Sequence, residues 1–183
     1  MRTCNQLRRQ WLYAAAALMS CILAMVALAR DAKAQNVTAV SGVVTGNVQQ
    51  VGFRAMIQKQ AIEYNLAGSA QNNSDKSVRF VLQGASDRID EVLAAIRKGT
   101  KKSSDVKVST SPTSVDSSLK TFTVVGWTSL SRGISHPYDL VFDLRPDDTT
   151  IKKGDAKKVW LGICETTVKG DDVGKCDKDK DDD

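Results

Sequence analysis

Apolar residues alternate with polar residues along several short stretches of the chain, and this pattern predicts β-strands. The alternation is clearest at residues 39–44, 77–82 and 121–127, and it is weaker at residues 66–71 and 106–109. The first 127 residues are therefore expected to contain five short strands.

Two other stretches have apolar residues three and four positions apart, which is typical of a helix with one buried face. The first spans residues 53–64, and Asn65 can end it in the left-handed conformation. The second spans residues 88–98 and is followed by Gly99. The order of elements predicts an α+β fold over residues 35–127, a ferredoxin-like split βαβ sandwich. One antiparallel or mixed sheet would carry both helices on one face.

A short loop with two glycines joins the first predicted strand to the first predicted helix. It runs from Gly46 to Arg54 with the sequence GNVQQVGFR. The first turn of a helix has main-chain amides without internal partners, so a phosphate could bind there beside the guanidinium group. An ordinary connection with an exposed arginine explains the same local pattern, because short loops with glycine are common.

The same residues carry a more specific signal. Residues 45–54 resemble the acylphosphatase signature G-x-V-Q-G-V-x-F-R, and the resemblance covers about residues 36 to 127. Beyond the loop it continues through Ala61, Leu66, Gly68, Asn72, Asp75 and Val78. The resemblance implies the ferredoxin-like fold and the hydrolysis of a mixed anhydride between a carboxyl group and phosphate.

The resemblance also implies a role for each residue of the site. Arg54 would bind the phosphoryl oxygens, and Asn72 would orient the attacking water. The phosphate-binding loop would supply amides from Gln49, Gln50, Val51 and Gly52. An acyl phosphate is already activated, so no cofactor, metal or covalent intermediate is demanded. We expect a monomer that acts on a small-molecule acyl phosphate. Considered locally, Asn72 is also an ordinary turn residue.

Two positions depart from the family pattern, and they motivate a second hypothesis. Gln50 stands where the signature has glycine, and Lys76 stands where the hairpin usually has glycine. If residue 50 needs a positive φ, its side chain adds backbone strain and can crowd the phosphate. The alternative function is a catalytically weakened or inactive module that binds anions or a protein partner.

The N-terminal segment has the pattern of a secretory signal peptide over residues 1–34. Residues 1–9 are polar and basic, residues 11–29 are almost all apolar, and Ala32-Lys33-Ala34 forms a small-residue cleavage site. An uncleaved membrane anchor is the alternative, because nineteen residues approach the length of a spanning helix. Cleavage predicts an exported protein, periplasmic or secreted, with no membrane attachment afterwards.

The charge of the chain belongs mostly to this leader. The whole chain has 26 basic and 21 acidic side chains. The leader holds five of the basic and one of the acidic side chains, so residues 35–183 carry a net charge of +1. This balance gives no support for nucleic-acid binding. Cys164 and Cys176 remain after cleavage and are expected to form a disulfide, although two unrelated thiols are an alternative. No metal site is expected, because two cysteines do not complete a tetrahedral set.

The resemblance ends near residue 127, and only local patterns indicate the structure of the rest of the chain. Residues 138–144 and 158–168 are expected to be strands, so residues 128–170 would form a β-rich extension with an unknown protein partner. Residues 171–183 are dominated by aspartate and lysine and are expected to be a disordered, solvated tail. The Ser- and Thr-rich residues 109–118 are expected to be a loop.

Overall fold

The computed structural model describes residues 36–176 of the 183-residue chain. Residues 36–176 belong to one compact unit. The expected signal peptide, residues 1–34, and the end of the expected tail, residues 177–183, lie outside the described residues. Among the described helices, none has the length and apolar character needed to cross a membrane.

In residues 36–176, six strands form one sheet, and three helices connect or follow them. The strands are β1 (Val37–Asn47), β2 (Ala67–Asn72), β3 (Val78–Ala85), β4 (Ser104–Thr113), β5 (Thr121–Ser129) and β6 (Ile134–Asp143). The helices are α1 (Phe53–Tyr64), α2 (Ser86–Lys98) and α3 (Lys153–Thr167). Two single 3-10 turns lie at Leu130–Arg132 and Gly170–Asp172.

The strand order in the sheet is β4-β1-β3-β2-β5-β6. The pairs β4–β1, β1–β3 and β3–β2 are antiparallel. Strand β2 pairs in parallel with β5, and β5 pairs antiparallel with β6. The mixed sheet and the βαββαβ order of the first six elements confirm the predicted ferredoxin-like α+β fold. The parallel pairing aligns Gln71 with Val125, so the ends of β2 and β5 lie side by side.

The helices cover one face of the sheet, with α1 packed between α2 and α3. Helix α1 has the predicted bounds, and Asn65 ends it with φ 55° and ψ 50° in the left-handed region, as predicted. Helix α2 begins two residues earlier than predicted and ends at Gly99, with φ 73°. The apolar spacing of both helices therefore indicated their position correctly.

Two local predictions were wrong. Residues 158–168 were expected to be a strand, but Lys153–Thr167 is a helix. Its buried residues, Ala156, Trp160 and Cys164, are four positions apart, which is the spacing of a helical face. The extension is therefore one strand and one helix. Residues 109–113, expected to be loop, continue β4, because pairing with β1 satisfies their main-chain groups whatever their side chains are.

A buried glutamine joins the extension to the rest of the unit. The Nε2 atom of Gln58, on α1, donates hydrogen bonds to the carbonyl oxygens of Phe122 (3.3 Å) and Leu140 (2.7 Å). Its Oε1 atom accepts a hydrogen bond of 3.1 Å from the indole nitrogen of Trp160. The fully buried Trp160 also packs edge to face on Trp127, with ring centroids 5.8 Å apart. One side chain thus links α1, β5, β6 and α3.

A disulfide joins Cys164, on α3, to Cys176, with a Cα–Cα distance of 5.9 Å. Both cysteines are fully buried. The main-chain carbonyl of Cys176 also accepts a hydrogen bond of 3.1 Å from Nη1 of Arg132. The end of the described chain is therefore held against the core next to α3.

Replacing Gln58 tests this junction. We expect Gln58→Leu to lower the free energy of unfolding by ~2–3 kcal/mol, because three groups each lose a hydrogen bond to the Gln58 amide. Gln60→Leu, on the same helix, is the matched control, because the amide of Gln60 bonds only to the nearby carboxylate of Glu63. Urea unfolding of both variants would measure the difference, and equal stabilities would contradict the role given to Gln58.

Candidate anion-binding site

The loop between β1 and α1 presents unpaired main-chain amides. Two of its residues are left-handed, Gln50 with φ 60° and Gly52 with φ 73°. Within residues 36–176, no group accepts a hydrogen bond from the amides of Gln49 to Gly52. After these residues, the amide of Met56 donates a hydrogen bond of 2.9 Å to the carbonyl of Gly52. The loop therefore ends in a row of donors at the positive end of the α1 dipole.

Close packing on β4 sets the start of this loop. Gly46 has φ 115°, and a Cβ atom there would lie 2.4 Å from the carbonyl oxygen of Asp105. Only glycine allows this approach of the two main chains. At the other side of the loop, the hydroxyl of Thr100 donates a hydrogen bond of 3.0 Å to the carbonyl of Val51. These contacts hold the loop at both ends.

Arg54 follows the loop in the first turn of α1, and its side chain is only 9% exposed. Its Nη1 atom donates to the carbonyl oxygens of Val125 (2.7 Å) and Gly126 (2.9 Å) at the end of β5. These two bonds use both hydrogens of Nη1 and leave Nη2 and Nε for a ligand. Among the described residues, no carboxylate lies within ion-pair distance of this guanidinium.

This environment favours an anion. Burial lowers the pKa of the Arg54 guanidinium, but arginine stays charged at any ordinary pH. A buried cation without a carboxylate partner is costly, so an anion that reaches it gains more than one that meets an exposed arginine. The site therefore combines a fixed charge with a row of amide donors.

Asn72 lies at the end of β2, next to the carbonyls that hold Arg54. Gln71 pairs with Val125, which places Asn72 beside Gly126 on the neighbouring parallel strand. The Oδ1 atom of Asn72 is buried and has no hydrogen-bond partner among the described residues. Buried acceptors are nearly always satisfied, so this oxygen is suited to a water or ligand donor. Arg54 and Asn72 thus meet at one edge of the sheet.

The side chain of Gln49 connects the loop to the turn that follows Asn72. Its Nε2 atom donates to the carbonyl oxygens of Asn73 (2.9 Å) and Ser77 (2.8 Å). Asp75 closes the same turn by accepting bonds from Ser77, and these bonds lower the pKa of its carboxyl group. The distance between the loop and β2 is therefore set by one side chain.

The sequence pattern predicted the loop, Arg54 and Asn72 as candidate site residues, but it did not indicate the groups that position them. The carbonyls of Val125 and Gly126 are main-chain atoms, so no residue type marks them. Thr100 lies in a polar turn with no distinctive spacing. Gln50 is the residue that was expected to add backbone strain and to crowd the phosphate. Its backbone is left-handed, and its side chain is exposed. Among the described residues, no cluster of His, Cys, Asp and Glu could hold a metal ion.

The fold and this edge of the sheet define a ferredoxin-like α+β domain with a strand–loop–helix cradle for an anion. The acylphosphatase family model matches residues 40–124. An acylphosphatase from Chlorobaculum tepidum is 35% identical over 83 residues, which are 45% of this chain and 90% of that protein. One from Rhodopseudomonas palustris is 36% identical over 73 residues, 40% of this chain and 74% of that protein. This chain belongs to the acylphosphatase family.

A solved structure is also similar to this chain. The acylphosphatase from Coxiella burnetii has 30% sequence identity, and the match covers 51% of this chain and 98% of that one, with a TM-score of 0.46. The family model begins within β1 and ends within β5, so β6 and α3 lie beyond its residues.

Phosphate should stabilise this domain through Arg54. Inorganic phosphate at 100 times its dissociation constant should add ~2.7 kcal/mol to the free energy of unfolding. We expect Arg54→Gln to abolish this increase, because the buried charge is lost. Arg79→Gln is the matched control, because Arg79 is exposed and bonds to Gln71 on β2. Thermal unfolding with and without phosphate would measure both, and an equal phosphate effect in the two variants would contradict the site.

Proposed function

We propose that this protein is an acylphosphatase, which hydrolyses the bond between the carboxyl group and the phosphate of an acyl phosphate. The single observation that carries the proposal is the buried guanidinium of Arg54 beside unpaired loop amides and the unsatisfied oxygen of Asn72. Membership of the acylphosphatase family supports it.

In the proposed reaction, the phosphoryl group lies on the loop amides of residues 49–52, with Arg54 bound to its oxygens. Negative charge on those oxygens is neutralised by a cation that is already anchored on two carbonyls, so no reorganisation is needed when the substrate reacts. The low exposure of Arg54 strengthens this interaction relative to one in water.

Asn72 would position the attacking water through Oδ1, which accepts a hydrogen bond from the water. The water oxygen bonds to phosphorus while the bond from phosphorus to the acyl oxygen breaks, and the products are a carboxylate and inorganic phosphate. The carboxylate is a good leaving group, so it departs without an acid, and the water's proton passes to the phosphate product or to solvent. Positioning and charge stabilisation then supply the rate acceleration.

A second candidate function is an anion-binding module that has lost most of its turnover. The observation that favours it is Gln50, a non-glycine residue at φ 60° within the loop. Its exposed side chain starts from the same backbone that would contact the phosphate, so it can hinder the substrate. Phosphate binding without hydrolysis would be the sign of this function.

We also propose that the protein works outside the cytoplasm. The leader pattern of residues 1–34 and the disulfide between Cys164 and Cys176 both support export, since disulfides persist in oxidising compartments. Asn72-Asn73-Ser74 is a glycosylation sequon, and a glycan on Asn72 would block the site. The proposal therefore requires a cell that leaves Asn72 unmodified.

Hydrolysis of benzoyl phosphate tests the two proposed roles. We expect Arg54→Gln and Asn72→Ala each to lower kcat/KM by about 100-fold or more, as for the loss of one preorganised charge-stabilising group. Arg79→Gln should retain full activity. Circular dichroism would exclude unfolding, and unchanged turnover in both site variants would remove the basis for hydrolysis.

Replacing Gln50 by glycine separates the two candidate functions. Relief of the left-handed strain, less the entropy cost of glycine, should raise the free energy of unfolding by ~0.5–1 kcal/mol. Lys76→Gly is the matched control, because Lys76 also has a positive φ, 68°, but lies in the hairpin turn and would not contact the phosphate. If Gln50 hinders the substrate, only Gln50→Gly should raise kcat/KM severalfold. Equal activity of the wild type and Gln50→Gly would exclude residue 50 as the cause of weak turnover.

A further inference from the structure

A groove of about 730 Å³ runs along the outer face of α1, between the end of α2 and the first half of α3. Its lining is strongly basic. Glu63 is the single acidic side chain in it, whereas the lysines are Lys59, Lys98, Lys101, Lys102, Lys153 and Lys157. The remaining lining is mostly small or apolar, as at Ala55 and Met56. A basic track with an apolar floor is suited to an acidic chain.

The lysines are spread along the groove. Lys98, Lys101 and Lys102 lie at the end of α2, beside Val51 and Gly52 of the anion-binding loop. Lys153 and Lys157 lie at the other end, where the amide of Ile151 bonds to the carbonyl of Glu63 at 2.9 Å. From Gly52 to Glu63 the helix rises by ~16 Å. A single small anion cannot contact both ends of the groove, so a ligand that contacts both ends would have to be extended.

The chain itself contains an acidic segment directly after its last described residue. Residues 177–183, DKDKDDD, have five aspartates and two lysines. The disulfide holds Cys176 on α3, and the Cys176 carbonyl bonds to Nη1 of Arg132 at 3.1 Å. This places Cys176, the residue before the segment, beside the helix that forms one wall of the groove.

The groove is within reach of this segment. The guanidinium carbon of Arg132 lies 5.3 Å from the ring centroid of Trp160, and the ammonium nitrogen of Lys59 lies 4.8 Å from the same centroid. The Cys176 carbonyl is therefore within ~15 Å of Lys59, whereas seven extended residues span ~23 Å. We propose that residues 177–183 dock in this groove as an intramolecular acidic ligand.

Tethering favours this occupant over a separate acidic protein. A short flexible connection gives the tethered segment an effective concentration in the millimolar range. Five carboxylates facing six lysines attract one another over a Debye length, and salt weakens the attraction. The docking does not depend on the proposed hydrolysis.

Zero-length carbodiimide crosslinking tests the contact, because it joins only carboxylates and amines that touch. Residues 36–183 are used, since that unit is compact and holds the whole described sheet. We expect monomeric products in which residues 177–183 are linked to the groove lysines, at ten times or more the yield of links to the exposed Lys107 and Lys120. Sodium chloride at 0.5 M should reduce the yield at least threefold. Uniform labelling of all lysines, or products that are only dimeric, would overturn the proposal.

A binding measurement checks the same contact without chemistry. A peptide of sequence DKDKDDD should bind a chain that ends at Cys176 at least tenfold more tightly than the chain that ends at Asp183, because the tethered segment competes with it. Replacing Lys98, Lys101 and Lys102 with glutamine should weaken peptide binding to the shorter chain, and Lys107→Gln with Lys120→Gln is the matched control. Equal affinity of the peptide for the two chain lengths would overturn the proposal.

Discussion

The candidate site depends on the way one buried guanidinium is held. Arg54 is anchored by two carbonyls at the end of β5 and has no carboxylate partner among residues 36–176. Carbonyl oxygens orient the group without cancelling its charge, whereas an ion pair would both orient and neutralise it. The positive charge therefore stays available for a ligand. The site therefore combines three separate elements: the loop with its amides, β2 with Asn72, and β5 with the two carbonyls that hold Arg54.

The position of β5 is in turn secured by the extension. Strand β5 lies between β2 and β6, so it is not an edge strand. The buried amide of Gln58 bonds to carbonyls of both β5 and β6 and to the indole of Trp160. Because each of these groups is buried, losing one partner leaves another unsatisfied. The extension is thus part of the same core that holds the anchor of Arg54, and it is not an independent appendage.

Both departures from the family pattern occur at left-handed positions. Gln50 has φ 60° and Lys76 has φ 68°, so the backbone keeps a conformation that favours glycine although a side chain is present. Each such residue costs on the order of 1 kcal/mol. Contacts around the loop over-determine its shape, above all the bonds from Gln49 to Asn73 and Ser77. The rest of the fold therefore imposes this geometry on residue 50.

The sequence alone determined those elements whose conformation depends on residues close to them in the chain. The bounds of α1, the left-handed Asn65 and the loop that precedes Arg54 follow from residue type and spacing, because caps, turns and apolar faces act over a few residues. The strand 138–144 was also found, since it alternates within β6.

Tertiary structure decided the rest. Residues 153–167 carry apolar side chains that suit either a strand or a helix over a short window, and burial of Trp160 against α1 and Trp127 makes them helical. Residues 109–113 are strand because β1 offers main-chain partners. The carbonyls that hold Arg54 carry no sequence signal, since every residue has one. Chemistry that belongs to side chains can be read along the chain, but the placement of main-chain groups depends on which strands become neighbours.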